Sequence, residues 1–73
     1  PTTMISFTIN KDFQVLLEVY DIKGTRIETL TDSKLSAGQH NITWNAIKYS
    51  SGIYFVRLKT ANFESNQKIT LIK

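Results

Sequence analysis

The sequence contains no cysteine and only one histidine, His40. Disulfide bonds are therefore excluded, and so is a structural zinc site, which needs about four cysteine or histidine ligands. No apolar run approaches the roughly 20 residues that a membrane-spanning helix requires, so we expect no insertion into a membrane. A chain of 73 residues with these absences must fold as one small domain on its apolar core alone.

The sequence also lacks the side-chain groupings that catalysis and cofactor binding require. Nucleophilic hydrolysis needs a base beside the nucleophile, and the only imidazole, His40, shares a face of a predicted strand with Ile42 and Trp44. We interpret His40 as a partly buried residue at the rim of the core. The three glycines are far apart and none precedes a helix, which argues against a phosphate-binding loop. We therefore predict a noncatalytic domain without cofactor or metal.

The charged residues suggest solvated surfaces rather than a site. Glu18 and Glu28 are expected to point outward from strands, and the aspartates stand in turn-like segments. Nine basic and six acidic residues give a net charge of +3, and the excess lies in the second half of the chain. Its basic residues are scattered, so we expect no nucleic-acid interface. They are Lys48, Arg57, Lys59, Lys68 and Lys73.

Alternation of apolar and polar residues predicts β-strands along the whole chain. The predicted strands cover residues 5–9, 15–20, 26–31, 40–45, 53–59 and 63–72. Asp21 and Gly24 are typical of a hairpin turn, and residues 32–39 are predicted to form a connection. Trp44 is expected to anchor a core with Val15, Leu17, Tyr54 and Val56. Short strands separated by turns favour an antiparallel β-sandwich of six or seven strands.

Several segments, taken together and in order, resemble the type A C-terminal sorting domain of type IX secretion cargo, the Por secretion system family. The matching segments are residues 1–7, 19–24, 35–45, 51–58 and 67–73. No single segment is specific, but their order and spacing cover nearly the whole chain. One departure is that the Asn-Pro that often precedes such domains is absent, since the chain starts at Pro1.

The resemblance implies an immunoglobulin-like antiparallel β-sandwich of about seven short strands over residues 1–73. It also implies a single C-terminal domain of a larger multidomain protein, serving as the export signal of an upstream cargo domain. The implied partners are the outer-membrane type IX machinery and a sortase-like peptidase, and the implied location is the cell surface or the medium, reached through the periplasm. The residues of the matching structural motif are Asp21, Gly24, Gly38, Trp44, Gly52 and Tyr54.

The last strand is the candidate sorting-signal surface. Ile69 and Leu71 are expected to face the core, whereas Lys68 and Lys73 are expected to be exposed where the machinery could recognise them. The same residues also fit an ordinary structural strand.

The sequence is also compatible with two other kinds of function. A carbohydrate-binding accessory module would need a row of exposed aromatic rings, for which the candidates are Tyr20, Tyr49, Phe55 and Phe63. An immunoglobulin-like spacer or a domain of the flagellar hook-capping type would need neither exposed aromatic rings nor a sorting signal.

Overall fold

The computed structural model describes residues 2–72 and folds them into six β-strands with no helix among them. The strands are β1 Thr2–Ile9, β2 Phe13–Tyr20, β3 Arg26–Leu35, β4 Gly38–Asn45, β5 Gly52–Lys59 and β6 Glu64–Leu71. The all-β prediction is confirmed. The described residues contain one strand fewer than the seven that the resemblance implies.

The strands form two antiparallel sheets that enclose one apolar core. The smaller sheet pairs β1 with β4, and the larger has the order β3-β2-β5-β6. The chain crosses from one sheet to the other between β1 and β2, between β3 and β4, and between β4 and β5. This architecture is an immunoglobulin-like β-sandwich, as predicted.

Strand β3 is longer than the sequence pattern predicts. It continues to Leu35, which pairs with Phe13, so the predicted connection over residues 32–39 is wrong and shrinks to residues 36–37. Turn-forming residues are tolerated here because β3 is an edge strand whose Asp32 side chain stays exposed and accepts a hydrogen bond from Gln14 Nε2 at 3.1 Å. Two register shifts against β2 leave Leu30 and Ile27 without a direct partner. The bulge expected near Leu30 is therefore present.

The core is built from alternate residues of both sheets. Trp44 is 0% exposed and is the largest of the fully buried side chains. Its ring meets the ring of Tyr54 edge-on, with centroids 5.3 Å apart. Val15, Leu17 and Val56 belong to the same buried cluster. The prediction that Trp44 anchors the core is confirmed.

The two ends of the sandwich differ in what they contain. Thr2 pairs with Asn45, Tyr20 pairs with Phe55, and Gly52 pairs with Leu71. These pairs lie at the same end of the sandwich, which we call the upper end. Four features of the chain therefore meet there. They are the first described residue, the turn over residues 21–25, the connection over residues 46–51, and Ile72. The lower end holds the three other connections, over residues 10–12, 36–37 and 60–63.

Candidate functional site

Strand β6 carries the predicted sorting-signal residues, and the structure orients most of them as expected. Leu71 is buried opposite Gly52, and Ile69 is half-buried opposite Tyr54. Lys68 is exposed on the opposite face, beside Phe55. Lys73 lies outside the described residues. At the end of β6, the outward Lys68 and Thr70 therefore alternate with the inward Ile69 and Leu71.

One backbone edge of β6 is open. Strand β6 lies at the margin of the larger sheet and pairs only with β5 within residues 2–72. An edge strand presents N–H and C=O groups that can pair with a strand of another protein. The first half of β6 is exposed on both faces, from Glu64 to Lys68.

The Asp21 turn is held by its own side chain, which explains the Asp and Gly of the motif. Asp21 Oδ1 accepts hydrogen bonds from the backbone N–H groups of Lys23 and Thr25, both at 2.9 Å. Gly24 has a φ of 88°, a left-handed conformation that side-chain-bearing residues rarely adopt. The sequence-based prediction of positive φ at Gly24 is confirmed.

Most of the other motif residues also lie at or near the upper end. The Tyr54 hydroxyl donates a hydrogen bond to the Ser50 carbonyl at 2.6 Å, which ties the start of β5 to the connection before it. Gly52 lies directly across from Leu71 of β6. Gly38 is the exception, because it begins β4 at the lower end. Asp21 and Gly24 thus hold the 21–25 turn, whereas Tyr54 and Gly52 join the start of β5 to the 46–51 connection and to the end of β6.

A cleft of about 420 Å³ opens at the upper end between this turn and this connection. Ile22 and Lys23 line it on one side, and Lys48, Tyr49 and Ile53 line it on the other. Sequence reasoning did not predict this cleft. The signal that could have indicated it is the isoleucine at position 22, in a turn segment where polar residues are usual.

Tyr49 lines the cleft and also packs on Trp44 of the core. Its hydroxyl lies 3.1 Å from the Ile27 carbonyl oxygen and 3.0 Å from Glu28 Oε1. Burial raises the pKa of Tyr49, and the hydrogen bond to Glu28 raises it further. The Lys48 ammonium lies 5.7 Å from the centre of the Tyr49 ring, within the range of a cation–π contact.

Glu28 points inward, so its predicted outward orientation is wrong. Glu28 pairs with Val19, a core residue, and its Oε1 lies 3.4 Å from Trp44 Nε1. Cross-strand partners share a face of the sheet, and the bulge at Ile27 changes which residues of β3 face the core.

Glu18 faces outward as predicted, yet only 4% of it is exposed. Its carboxylate accepts hydrogen bonds from the Tyr20 hydroxyl and from Arg26 Nη1, both at 3.0 Å. Arg57 pairs with Glu64 nearby. Hydrogen bonds to Tyr20 and to Glu64 raise the pKa of Arg57. This network covers the middle of the outer face of the larger sheet.

The four candidate aromatic residues do not form a row. Tyr20 and Phe55 are cross-strand neighbours on the outer face, beside a shallow depression that Arg57 and Asn66 also line. Tyr49 packs on Trp44 instead, with ring centroids 5.6 Å apart. Phe63 packs edge-on against Phe13, at the lower end. Of the four candidate rings, only those of Tyr20 and Phe55 are therefore neighbours on the outer face.

His40 is a rim residue, as predicted. It is half-buried, stacks on Phe7 with ring centroids 5.6 Å apart, and places Nε2 2.7 Å from the Ser36 carbonyl oxygen. A carbonyl only accepts hydrogen bonds, so Nε2 carries the proton in this contact.

Within residues 2–72, no group of three or more histidine and acidic side chains is arranged to hold a metal ion. The same residues contain no helix of the length and apolarity needed to cross a membrane.

Comparison with known proteins identifies a family. A family model described as a secretion system C-terminal sorting domain matches residues 2–73, which is nearly the whole chain. No curated protein and no solved structure matches the chain.

Proposed function

The chain belongs to the family of type IX secretion C-terminal sorting domains, and on that basis we propose that it is the signal that directs the export of an upstream cargo domain of the same protein. In this proposal the domain follows the cargo into the periplasm and is recognised there by the outer-membrane machinery. The cargo then reaches the cell surface or the medium, and a sortase-like peptidase removes the domain. The domain itself is a substrate of these steps and catalyses none of them.

The observation that carries the proposal is the extent of the family match, which spans residues 2–73. Members of a sorting-domain family act as signals, and a signal needs a folded surface that a receptor can recognise. The outward part of β6 is such a surface, because it combines an open backbone edge with the exposed side chain of Lys68.

We assign the first recognition step to β6 and the residues that follow it. A receptor strand can pair with the open edge of β6, and acidic groups of the receptor can contact Lys68 and Lys73. Ile69 and Leu71 keep the strand attached to the sandwich by burying their side chains. The same strand then serves stability through one face and recognition through the other.

The experiment that tests this proposal is a fusion of residues 1–73 to the C-terminus of an inert periplasmic reporter in a type IX-competent host. The reporter is expected outside the outer membrane when the domain is present and in the periplasm when it is absent. Retention of the folded fusion in the periplasm would refute the sorting function.

A charge-reversed variant tests the assignment to β6. Lys68→Glu/Lys73→Glu is expected to reduce export while the fusion stays folded, because charge repulsion weakens the encounter with an acidic receptor. The matched control is Lys11→Glu/Lys34→Glu, which reverses the same number of charges near the lower end. If the two variants are exported equally well, recognition does not depend on the lysines of β6.

A carbohydrate-binding accessory module is the second candidate. The specific observation in its favour is the adjacent pair Tyr20 and Phe55 beside Arg57 and Asn66 on the outer face. Binding of soluble glycans to the parent domain, lost in Tyr20→Ala/Phe55→Ala, would favour this function over sorting.

A further inference from the structure

The exposed apolar residues of the domain are concentrated at one end. Ile22, Ile47 and Ile72 are 66%, 68% and 81% exposed, and all three lie at the upper end. Met4 is also exposed and lies on β1 close to the same end. Phe63 is the one exposed large apolar residue at the lower end within the described chain. Clustered exposed apolar side chains mark interaction surfaces, whereas single ones do not.

The upper end also contains the cleft between the 21–25 turn and the 46–51 connection. Its volume, about 420 Å³, is in the range of pockets that accept a ligand or side chains of a partner. Ile22 and Ile53 supply apolar wall. The cleft therefore offers a depression into which an apolar side chain of a partner can insert, next to exposed isoleucines that extend the contact.

The rim of the cleft is basic. Lys23 and Lys48 line it, and the two ion pairs found within residues 2–72, Glu18 with Arg26 and Arg57 with Glu64, do not involve them. Among the described residues, the one carboxylate that lines the cleft is that of Asp21, whose Oδ1 already accepts two backbone hydrogen bonds. The charge of this rim is complementary to a partner that carries acidic residues.

We infer that the upper end is a docking surface for a protein of the export machinery, which inserts an apolar side chain into the cleft and pairs carboxylates with Lys23 and Lys48. This inference rests on the sorting function proposed above and extends it, because it gives the domain a second recognition surface in addition to β6. The two surfaces are continuous, since Gly52 lines the cleft and pairs with Leu71 of β6.

The alternative occupants are a second copy of the domain and an upstream domain of the same chain. A second copy of the domain related by two-fold symmetry would bring the same patch against itself and so place the basic rims of two clefts together. An upstream domain would join the sandwich at Thr2, which also lies at the upper end but on the smaller sheet, where it pairs with Asn45. The cleft opens beside the start of β5 and the end of β6, in the larger sheet. Contact with an upstream domain is therefore a separate outcome of the crosslinking test below, and it would overturn the inference.

The first test measures export of the reporter fusion. The variants are Ile22→Ser and Lys23→Glu/Lys48→Glu, and the matched controls at the lower end are Phe63→Ser and Lys11→Glu/Lys34→Glu. Loss of a central interface residue weakens binding about tenfold or more, so the upper-end variants are expected to lower the exported fraction by about that factor and the controls to leave it unchanged. Circular dichroism and melting midpoints verify that each fusion is folded.

The outcomes separate this inference from the sorting function. If the parent fusion stays in the periplasm, the sorting function itself fails. If the parent is exported and the folded upper-end variants are exported equally well, the docking surface is refuted and the sorting function stands.

The second test identifies what contacts the cleft. Because the domain has no cysteine, Ile22→Cys and Phe63→Cys each provide a unique site for a photoreactive maleimide in a fusion to a cysteine-free reporter. The labelled fusions are irradiated with outer membranes from a type IX-competent host. We expect position 22 to crosslink to a membrane protein of the export machinery, position 63 not to do so, and Lys23→Glu/Lys48→Glu to abolish the crosslink. A crosslink to the reporter, to a second copy of the fusion, or to nothing would overturn the inference.

Discussion

Replacing Trp44 by alanine tests the physical basis of the fold. Trp44 is completely buried and contacts the rings of Tyr49 and Tyr54, so truncation leaves a cavity between the two sheets. Truncations of large buried aromatic side chains cost about 3 to 5 kcal/mol. A domain of 73 residues is expected to have a total stability of about 4 to 11 kcal/mol. The substitution therefore removes a large fraction of the stability, and for a parent near the lower limit it removes at least about three quarters of it.

The assay is thermal and chemical unfolding followed by far-ultraviolet circular dichroism, because the substitution removes the only tryptophan and with it the fluorescence signal. A loss of 3 kcal/mol corresponds to a fall in the melting midpoint of at least about 12 °C for a domain of this size. Trp44→Phe is the matched control: it keeps an aromatic ring in the core and should cost clearly less. An unchanged midpoint for Trp44→Ala would refute the core assignment.

Three further predictions concern the turn, the buried tyrosine and the absence of catalysis. Gly24→Val is expected to lose about 1 to 3 kcal/mol of unfolding free energy through backbone strain alone, because a Cβ at this position has no atom within 4 Å; unchanged stability in a denaturant titration would disprove this. Since the pKa of Tyr49 is raised on folding, its contribution to stability is complete below the unfolded pKa of about 10 and is lost as the pH rises through the folded pKa. The parent should therefore lose more unfolding free energy than Tyr49→Phe between pH 9 and pH 11. If the unfolding free energies of the two proteins depend identically on pH, the pKa of Tyr49 is not raised by folding. Purified domain should show no hydrolase or transferase turnover, and any turnover that His40→Ala abolishes would overturn the noncatalytic assignment.

The alternation of apolar and polar residues was sufficient to predict where the strands lie and most of the core. In a strand, successive side chains point to opposite faces of the sheet, so every second residue faces inward. Val15, Leu17 and Trp44 are buried for this reason. The Asp21 turn was also predictable, since its hydrogen bonds and its positive φ both arise within a few residues.

Features that depend on pairing between distant segments were not predictable in this way. The extension of β3 to Leu35 depends on backbone pairing with Phe13, for which turn-forming side chains give no signal. The inward orientation of Glu28 follows from a bulge whose position only the partner strand determines. The cleft depends on the 21–25 turn and the 46–51 connection meeting at one end, which is a property of strand order. For the candidate sorting residues, alternation was sufficient to predict the orientations of Ile69 and Leu71, but no local pattern indicates which exposed groups a receptor would contact.

The most direct measurement of the central claim is the location of a reporter fused to residues 1–73 in two otherwise identical hosts, one type IX-competent and one lacking the outer-membrane pore of that system. The fraction of folded fusion in the medium and at the cell surface is compared with the fraction in the periplasm. The sorting function predicts export in the competent host and periplasmic accumulation in the other. Equal periplasmic retention in both hosts, or equal release from both, would contradict it.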